Sequence, residues 1–337
     1  MKKKLKILFF GLGSIGQRHL SNTIKLLNNN AEISAFRKIK KKFIIPKKGK
    51  KLSGDIEKKF SIKLFDKINQ IKNKDVDIIF ITNPSSLHLN TVLKLKNLKN
   101  KFIFIEKPLD SSLNLINKFN LLISKNNLRV FVGYNLRFNS CVIKLLEILN
   151  KNKLGRIYQS TFYYGDNLRE WHSYEDYTKS YAAKKKLGGG IVLSSIHEFD
   201  LMINIFQKTK FINSHNAKIS NLKMDVEDFS ISNFENEIFG QKLISTVNIN
   251  CFQRNKERYI KILFEKGEIH ADLIKYEVRV KKNKTLKKFK FKKDNNLMYL
   301  NELKFFLDLV IKNKKIPKKF NHQNAIKSLE LALKVKS

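Results

Sequence analysis

Apolar positions in the first third of the chain fall in short, nearly continuous runs. Leu5–Phe10 is one, closed by glycine, and Glu32–Phe36, Val76–Thr82, Lys101–Ile105 and Arg129–Val132 are the others. Runs of this length, rich in Ile, Val and Phe, are the signature of strands buried on both faces. Between them the spacing turns helical. Ile15, Leu20, Ile24 and Leu27 fall on one side of a helix over residues 16–27. A second helix is expected from the Asn83-Pro84 stop to about Asn97, and a third over Ser112–Asn126. Strand and helix alternating in this way predict a doubly wound parallel sheet. This first domain is assigned to residues 1–135.

After Arg137 the pattern changes. A helix over Cys141–Leu149 precedes a strand over Arg156–Tyr164, a polar and aromatic loop to Leu187, and then Gly188–Gly190 with a helix running on to about Phe206. Beyond Asn213, strands are expected at Ala217–Leu222, Asp228–Phe234, Lys242–Cys251, Tyr259–Phe264, Gly267–Asp272 and Lys275–Lys281. Successive short strands joined by turns make a mainly antiparallel sheet. Two closing helices, about Leu297–Lys312 and Asn321–Val335, flank Pro317 and can pack back on the first domain. The expectation is an α/β domain followed by an α+β domain over residues 136–337.

Composition bears on partners more than on fold. Of 337 residues, 42% are hydrophobic, enough for two cores, and no apolar stretch is long enough for a membrane span. The apolar run after Lys2-Lys3-Lys4 is too short for a leader and leads straight into glycines. It reads as the first strand of a cytoplasmic protein. Cys141 and Cys251 stand alone, with no metal or redox spacing, so no metal is expected. The formal charge of +39 raises a nucleic-acid or anionic-membrane partner. The lysines are, however, spread along the chain without interleaved aromatics, and Lys, Asn, Ile and Phe all have A/T-rich codons. A genomic origin fits better than a nucleic-acid interface. A positive field can still attract an anionic small molecule.

The chemistry begins at Gly11-Leu12-Gly13-Ser14-Ile15-Gly16, a G-x-G-x-x-G between the first strand and the first helix. Gly11 allows the tight turn, Gly13 the approach of a pyrophosphate, and Gly16 close packing of helix on strand, with the helix N-terminus facing the phosphates. That context predicts a Rossmann dinucleotide-binding domain. The second strand ends in Phe36-Arg37-Lys38 with no acid for the ribose hydroxyls. Arg37 suits adenine stacking or a 2′-phosphate, so the expected cofactor is NAD(P), leaning to NADP.

Further along, Thr82-Asn83-Pro84 with His88, Glu106-Lys107-Pro108, Gly133-Tyr134-Asn135-Leu136-Arg137-Phe138, Trp171-His172, Asp176-Tyr177, Ser180-Tyr181-Ala182-Ala183, Leu187-Gly188-Gly189-Gly190 and His197-Glu198-Phe199-Asp200 follow in order. Together with the glycine motif and its Gln17-Arg18-His19 continuation, this set resembles the Gfo/Idh/MocA oxidoreductases. It is similar to a branch associated with surface-polysaccharide sugars. The resemblance covers nearly the whole chain. It implies that Asn83, Pro84, His88 and Glu106 border the cofactor, that a cis bond precedes Pro108, and that Lys107 and His197 are catalytic. Lys107 sits at the carboxyl edge of the sheet, where doubly wound folds bind ligands, and its ammonium can steady developing alkoxide charge. His197 would relay the proton of a sugar hydroxyl.

One departure stands out. The aspartate usual in the family one turn before the histidine is Ser194 here. On a continuous helix Ser194, His197 and Asp200 share a face, so Glu198 or Asp200 is a candidate to compensate. Arg137, with Tyr134 and Asn135, crosses between the domains. It can grip an anionic substrate or pin the two domains together. Trp171, Tyr177 and Tyr181 are candidates for stacking on a pyranose or nucleobase and for bonding hydroxyls; Asp200 joins them as a substrate candidate.

The leading reading is a dehydrogenase or reductase acting on a CH–OH group of a sugar or nucleotide-sugar. A second is an enzyme that retains and recycles its NAD during epimerisation or glycosidic cleavage, separated from the first by net cofactor turnover. A third is a non-catalytic cofactor-binding sensor, which Ser194 makes conceivable. Expected partners are a small-molecule sugar and, by analogy, further copies of the chain in a dimer or tetramer.

Overall fold

A computed structural model of the chain describes residues 4–28, 30–37, 43–45, 52–67, 70–71, 76–96, 98–172 and 174–337. Lys38 and most of the basic stretch 38–51 lie outside them, as does Asn97, the expected end of the second helix.

The first sheet uses β1 (Leu5–Phe10), β2 (Ala31–Phe36), β5 (Lys63–Phe65), β6 (Ile78–Ile81), β7 (Phe102–Glu106) and β8 (Arg129–Gly133). A two-residue pair, β3 (Phe43–Ile44) and β4 (Leu52–Ser53), lies apart. The order is β5-β2-β1-β6-β7-β8 and every pairing is parallel. Helices α1 (Ser14–Leu26), α2 (Ile56–Phe60), α3 (His88–Leu93) and α4 (Ile116–Asn126) make the connections. Parallel strands need such crossovers, which cover both faces, and this is why the strands read as unbroken apolar runs. The chain reverses direction across the sheet between β1 and β6. That switch point opens a crevice at the carboxyl ends of the strands.

After α5 (Ser140–Asn150) comes β9 (Ile157–Asn167), then α6 (Leu168–Trp171), α7 (Ile191–Ser194) and α8 (His197–Ile205). The second sheet is completed by β10 (Lys208–Ala217), β11 (Phe229–Ile238), β12 (Gln241–Asn250), β13 (Phe252–Phe264), β14 (Gly267–Asp272), β15 (Glu277–Lys282) and β16 (Thr285–Lys290). Its order is β10-β11-β12-β9-β13-β14-β15-β16, antiparallel except where β9 runs beside β12. In β11 burial alternates residue by residue, as expected for a sheet with one covered face.

Three differences from the sequence reading have physical causes. No strand forms over most of the expected Ala217–Leu222 run; β10 precedes it and ends at Ala217. The buried Asp228 carboxylate takes the N–H groups of Ile219 (2.9 Å) and Ser220 (3.0 Å) and turns the chain there. The terminal strand β16 was missed because it is an exposed lysine-rich edge, a composition that blunts pairing with other chains and hides the strand pattern. The long helix after the glycine triplet is broken. Ser195 leaves helical geometry (φ −106°, ψ 33°), so α7 and α8 are separate.

The last two helices tie the domains together. α9 (Leu297–Ile311) packs on α1 and lays Phe306 edge-on against Phe80 and Phe104 of the first sheet. α10 (His322–Lys336) packs against α7, α8, β8 and β10.

Candidate active site

The glycine turn follows β1 directly. Gly11 has φ +95°, and a Cβ there would lie 2.7 Å from Asn83 N. At Gly16 a Cβ would lie 2.4 Å from Gly11 O and 2.8 Å from Thr82 Oγ1. Both glycines are therefore required by the close approach of α1 to β1 and β6. Gly13 differs: a Cβ there meets nothing within 4 Å. It faces open space just before α1, where it offers the helix no side-chain cap. Orphan helix N–H groups beside an open glycine suit a pyrophosphate. Gly11 N–H also bonds Phe36 O (3.3 Å), which brings Arg37, at the end of β2, beside the turn. The residues present thus fit a dinucleotide, with Gly13, Ser14 and Ile15 at its phosphates and Arg37 toward its adenosine end.

Asn83 and Pro84 leave β6 next to this turn. His88 stands behind them rather than over the cofactor space. It is 1% exposed, and its ring nitrogens each lie 2.9 Å from a carbonyl, Nδ1 from Pro108 O and Nε2 from Asn83 O. It braces the two loops that follow β6 and β7. Glu106 is a brace of the same kind. One carboxylate oxygen meets His19 Nε2 at 2.5 Å and the other accepts the Lys107 N–H at 3.2 Å.

Lys107 then enters the crevice with its peptide bond to Pro108 cis. Its ammonium donates to the carbonyl oxygen of Ser194 at 2.8 Å, so a residue of the first domain reaches the break between α7 and α8. Burial lowers its pKa to about 8, opposed by the Glu106 carboxylate and reinforced by Arg258. His197, the first residue of α8, is 6% exposed, and its Nδ1 has no hydrogen-bond partner. Burial, then the charges of Lys107, Arg258 and Arg137, hold its pKa well below the usual histidine range. Its ring meets Tyr134 edge-on at 5.9 Å. Lys107 and His197, far apart in sequence, are brought together from two domains.

The neighbours correct several expectations. Ser194 and His197 do not share a helix face, because the helix breaks between them. The Ser194 hydroxyl is buried against the Tyr181 phenol. Neither acid proposed to stand in for the missing aspartate is free to do so. Glu198 is paired with Arg258 by two bonds, 2.6 and 3.0 Å. Asp200 is fully buried and forms a two-bond fork with Arg137, one arm at 2.8 Å, with Ser328 Oγ donating at 2.9 Å. Arg137 also donates to Asn324 on α10 (2.5 Å) and lies over the Tyr134 ring. Its geometry is that of a pin between domains, with Asp200 as counter-ion, and both side chains are almost wholly buried. Tyr134 and Asn135 are likewise buried at this crossing.

Of the loop aromatics, Tyr181 belongs to the site. Burial, together with the Glu106 charge, pushes its phenol up to about 12. Trp171 lies nearby against Tyr164 (6.3 Å) with its indole N–H unpaired. Tyr177 points elsewhere and accepts the Lys223 N–H at 3.1 Å.

Four residues were missed as contributors. Arg258 comes from β13 and stacks on Tyr164 at 4.2 Å. Tyr299 comes from α9, and Arg18 from α1 lies 4.5 Å over its ring. His19 pairs with Glu106. Only Arg18 and His19, inside the glycine motif's continuation, carried a sequence signal. Arg258 and Tyr299 arrive from distant elements with no local pattern.

Residues 5–134 match the model of an oxidoreductase family with an NAD-binding Rossmann fold, Gfo/Idh/MocA. The likeness to the Gfo/Idh/MocA oxidoreductases thus lies in the first domain, over less than half of the chain. The uncharacterized oxidoreductase YrbE of Bacillus subtilis (strain 168) is 26% identical over 201 residues, covering 60% of this chain and 53% of that protein. The chain thus spans about half the length of that relative. Among solved structures, the WlbA dehydrogenase of Bordetella pertussis, in complex with NADH and UDP-GlcNAcA, superposes with a TM-score of 0.75 at 16% identity. That match covers 99% of this chain and 95% of the other. The myo-inositol 2-dehydrogenase of Lactobacillus plantarum gives a TM-score of 0.77 at 17% identity, covering 99% and 96%. These two likenesses extend the shared fold across both domains.

Proposed function

We propose that this protein is a Gfo/Idh/MocA-type, NAD(P)-dependent dehydrogenase or reductase acting on a carbinol or ketone of a sugar or nucleotide-sugar. The observation that carries the reading is the convergence of Lys107 and His197 at the carboxyl edge of the parallel sheet, beside an open glycine turn. Of the proteins that share the fold, WlbA dehydrogenase is seen with NADH and UDP-GlcNAcA, and another is named a myo-inositol 2-dehydrogenase. A role in surface-polysaccharide sugar synthesis accords with the resemblance of the 133–200 stretch.

The nicotinamide, when bound, supplies or accepts the hydride. The protein's own work is with the proton and the charge. Lys107, titrating at about 8, is largely an ammonium at neutral pH and can hold a carbinol oxygen by a charge-assisted hydrogen bond. Neutral His197, with Nδ1 unbonded, can accept the hydroxyl proton during oxidation and return it during reduction. Binding of the 2′-phosphate of NADP falls to Arg37. The crevice between the domains keeps both groups away from bulk water.

The test is turnover of either reduced or oxidised cofactor against myo-inositol, levoglucosan, UDP-N-acetylglucosamine and its uronate, together with mass spectrometry of nucleotides that co-purify. Net turnover abolished by Lys107→Met supports the reading. Absence of both turnover and bound nucleotide overturns it.

A further inference from the structure

The Gly188-Gly189-Gly190 triplet has no part in the chemistry above, yet several segments meet on it. A side chain at Gly188 (φ +80°) would run into Ser85 and Ser111 of the first domain, and one at Gly189 into the carbonyls of Tyr181 and Ala182. At Gly190 (φ +102°) it would run into the carboxylate of Glu227. That acid also holds the helix that follows.

This helix, α7, is a single turn. A helix so short has little stability of its own, so its direction is set by what bonds its ends. At its start Glu227 takes two backbone donors. Its carbonyl accepts the Ile191 N–H (3.0 Å) and its carboxylate the Val192 N–H (3.3 Å). At its end the Ser194 carbonyl accepts the Lys107 ammonium at 2.8 Å.

Glu227 is in turn held from α10. Lys336 Nζ lies 3.2 Å from its carboxylate and donates to the Gly189 carbonyl at 3.1 Å. The last turn of α10 is itself fixed, because the Val335 carbonyl accepts from Ser214 Oγ (2.7 Å) and Asn216 Nδ2 (2.5 Å) of β10. One line of bonds therefore runs from β10 through Lys336, Glu227 and α7 to Lys107. The four-carbon stem of a lysine is flexible, so a fixed acceptor is what keeps its ammonium at one point of the crevice.

We propose that Glu227 and Lys336 are positioning residues for Lys107: their clasp sets where α7 points, and so where the Ser194 carbonyl holds the ammonium. The functional meaning of the clasp rests on the catalytic reading of Lys107, whereas its structural content does not.

The test uses the full-length protein and no substrate. Carbon NMR of ε-labelled lysine, with Lys107 assigned by its loss in Lys107→Met, gives the Lys107 titration midpoint. The titratable groups around Lys107 are Glu106 from β7, Arg258 from β13, and Glu198 and His197 from α8, and the variants alter none of them. Lys336→Met removes a second cation, which by charge alone can only raise the midpoint. Loss of the carbonyl acceptor acts in the opposite direction, because that hydrogen bond favours the charged form. The expected result is a fall of about one pH unit in Lys336→Met, restored by Lys336→Arg. The Lys336 side chain is 26% exposed, so its replacement leaves the core untouched. Hydrogen exchange at the Ile191 and Val192 amides should quicken in Lys336→Met, and more so in Glu227→Leu. A Lys107 midpoint that rises or stays in Lys336→Met, or unchanged exchange at those amides, overturns the proposal. Sugar turnover retained in Lys107→Met would defeat the catalytic reading, and a fallen midpoint in Lys336→Met would still support this one.

Discussion

At the scale of single residues, the site separates groups that face the chemistry from groups that hold them. Lys107→Met and His197→Ala should each lower turnover by about 10²-fold or more with little change in cofactor affinity or melting temperature. Equal loss of cofactor binding would mean that they hold the dinucleotide instead. Lys107 also sets a pH limit. Its ammonium is present below about 8 and is lost as the pH rises through that value. Reduction that depends on the ammonium should therefore fall off on the alkaline side, and Lys107→Arg should move that limb upward if it retains activity. Ser194→Asp now has a different expectation from the one helical spacing suggested. Because the helix breaks at Ser195, the new carboxylate would enter a buried spot beside Tyr181 and the Lys107 tether rather than one turn along from His197. Its expected signature is a raised Lys107 midpoint, read by lysine NMR.

At the scale of elements, the three glycines of the turn make distinct predictions. Gly13→Val should fold normally, since nothing lies within 4 Å, yet weaken NADP(H) and NAD(H) alike by filling the pyrophosphate approach. Gly16→Val should instead lower stability, because its side chain would meet the Gly11 backbone. Unfolding curves and cofactor titrations on the two variants separate these outcomes. The Arg137–Asp200 pin is the other element-level device. Removing one partner of a buried ion pair costs about 3–5 kcal/mol, so Arg137→Met should be readily seen in denaturant unfolding. The sequence was legible where function follows local order. The strand–glycine–helix turn, the strand that presents Lys107, and the sheet classes of both domains could all be read along the chain. It was opaque where function depends on what arrives from afar. Nothing near Arg258 or Tyr299 marks them, because their partners come from other elements. The same holds for Arg137, whose partners Asp200 and Asn324 come from other elements. The helix break at Ser195 escaped because the apolar spacing continues through it.

At the scale of the whole molecule, the formal charge of +39 has to be reconciled with a site that is nearly balanced within itself. In the crevice Arg258 answers Glu198 and His19 meets Glu106, while Lys107 donates to a backbone carbonyl. The surplus lies on the outside. Lys287, Lys288 and Lys290 line the exposed edge strand β16, and Lys312, Lys314 and Lys315 follow α9. Charges so dispersed act through their summed field rather than through contacts, and that field is screened within about 8 Å at physiological ionic strength. An anionic dinucleotide approaching this surface should be drawn in faster at low salt, whereas events inside the closed crevice should hardly respond. Stopped-flow binding of NADPH should therefore slow markedly as salt is raised, while the dissociation rate and the saturated turnover change little. A nucleic-acid function would look different, with retention on duplex DNA falling as a steep power of salt concentration and competing with cofactor binding. An association rate indifferent to salt would show that the surplus charge has no part in capture, leaving codon composition as its only source.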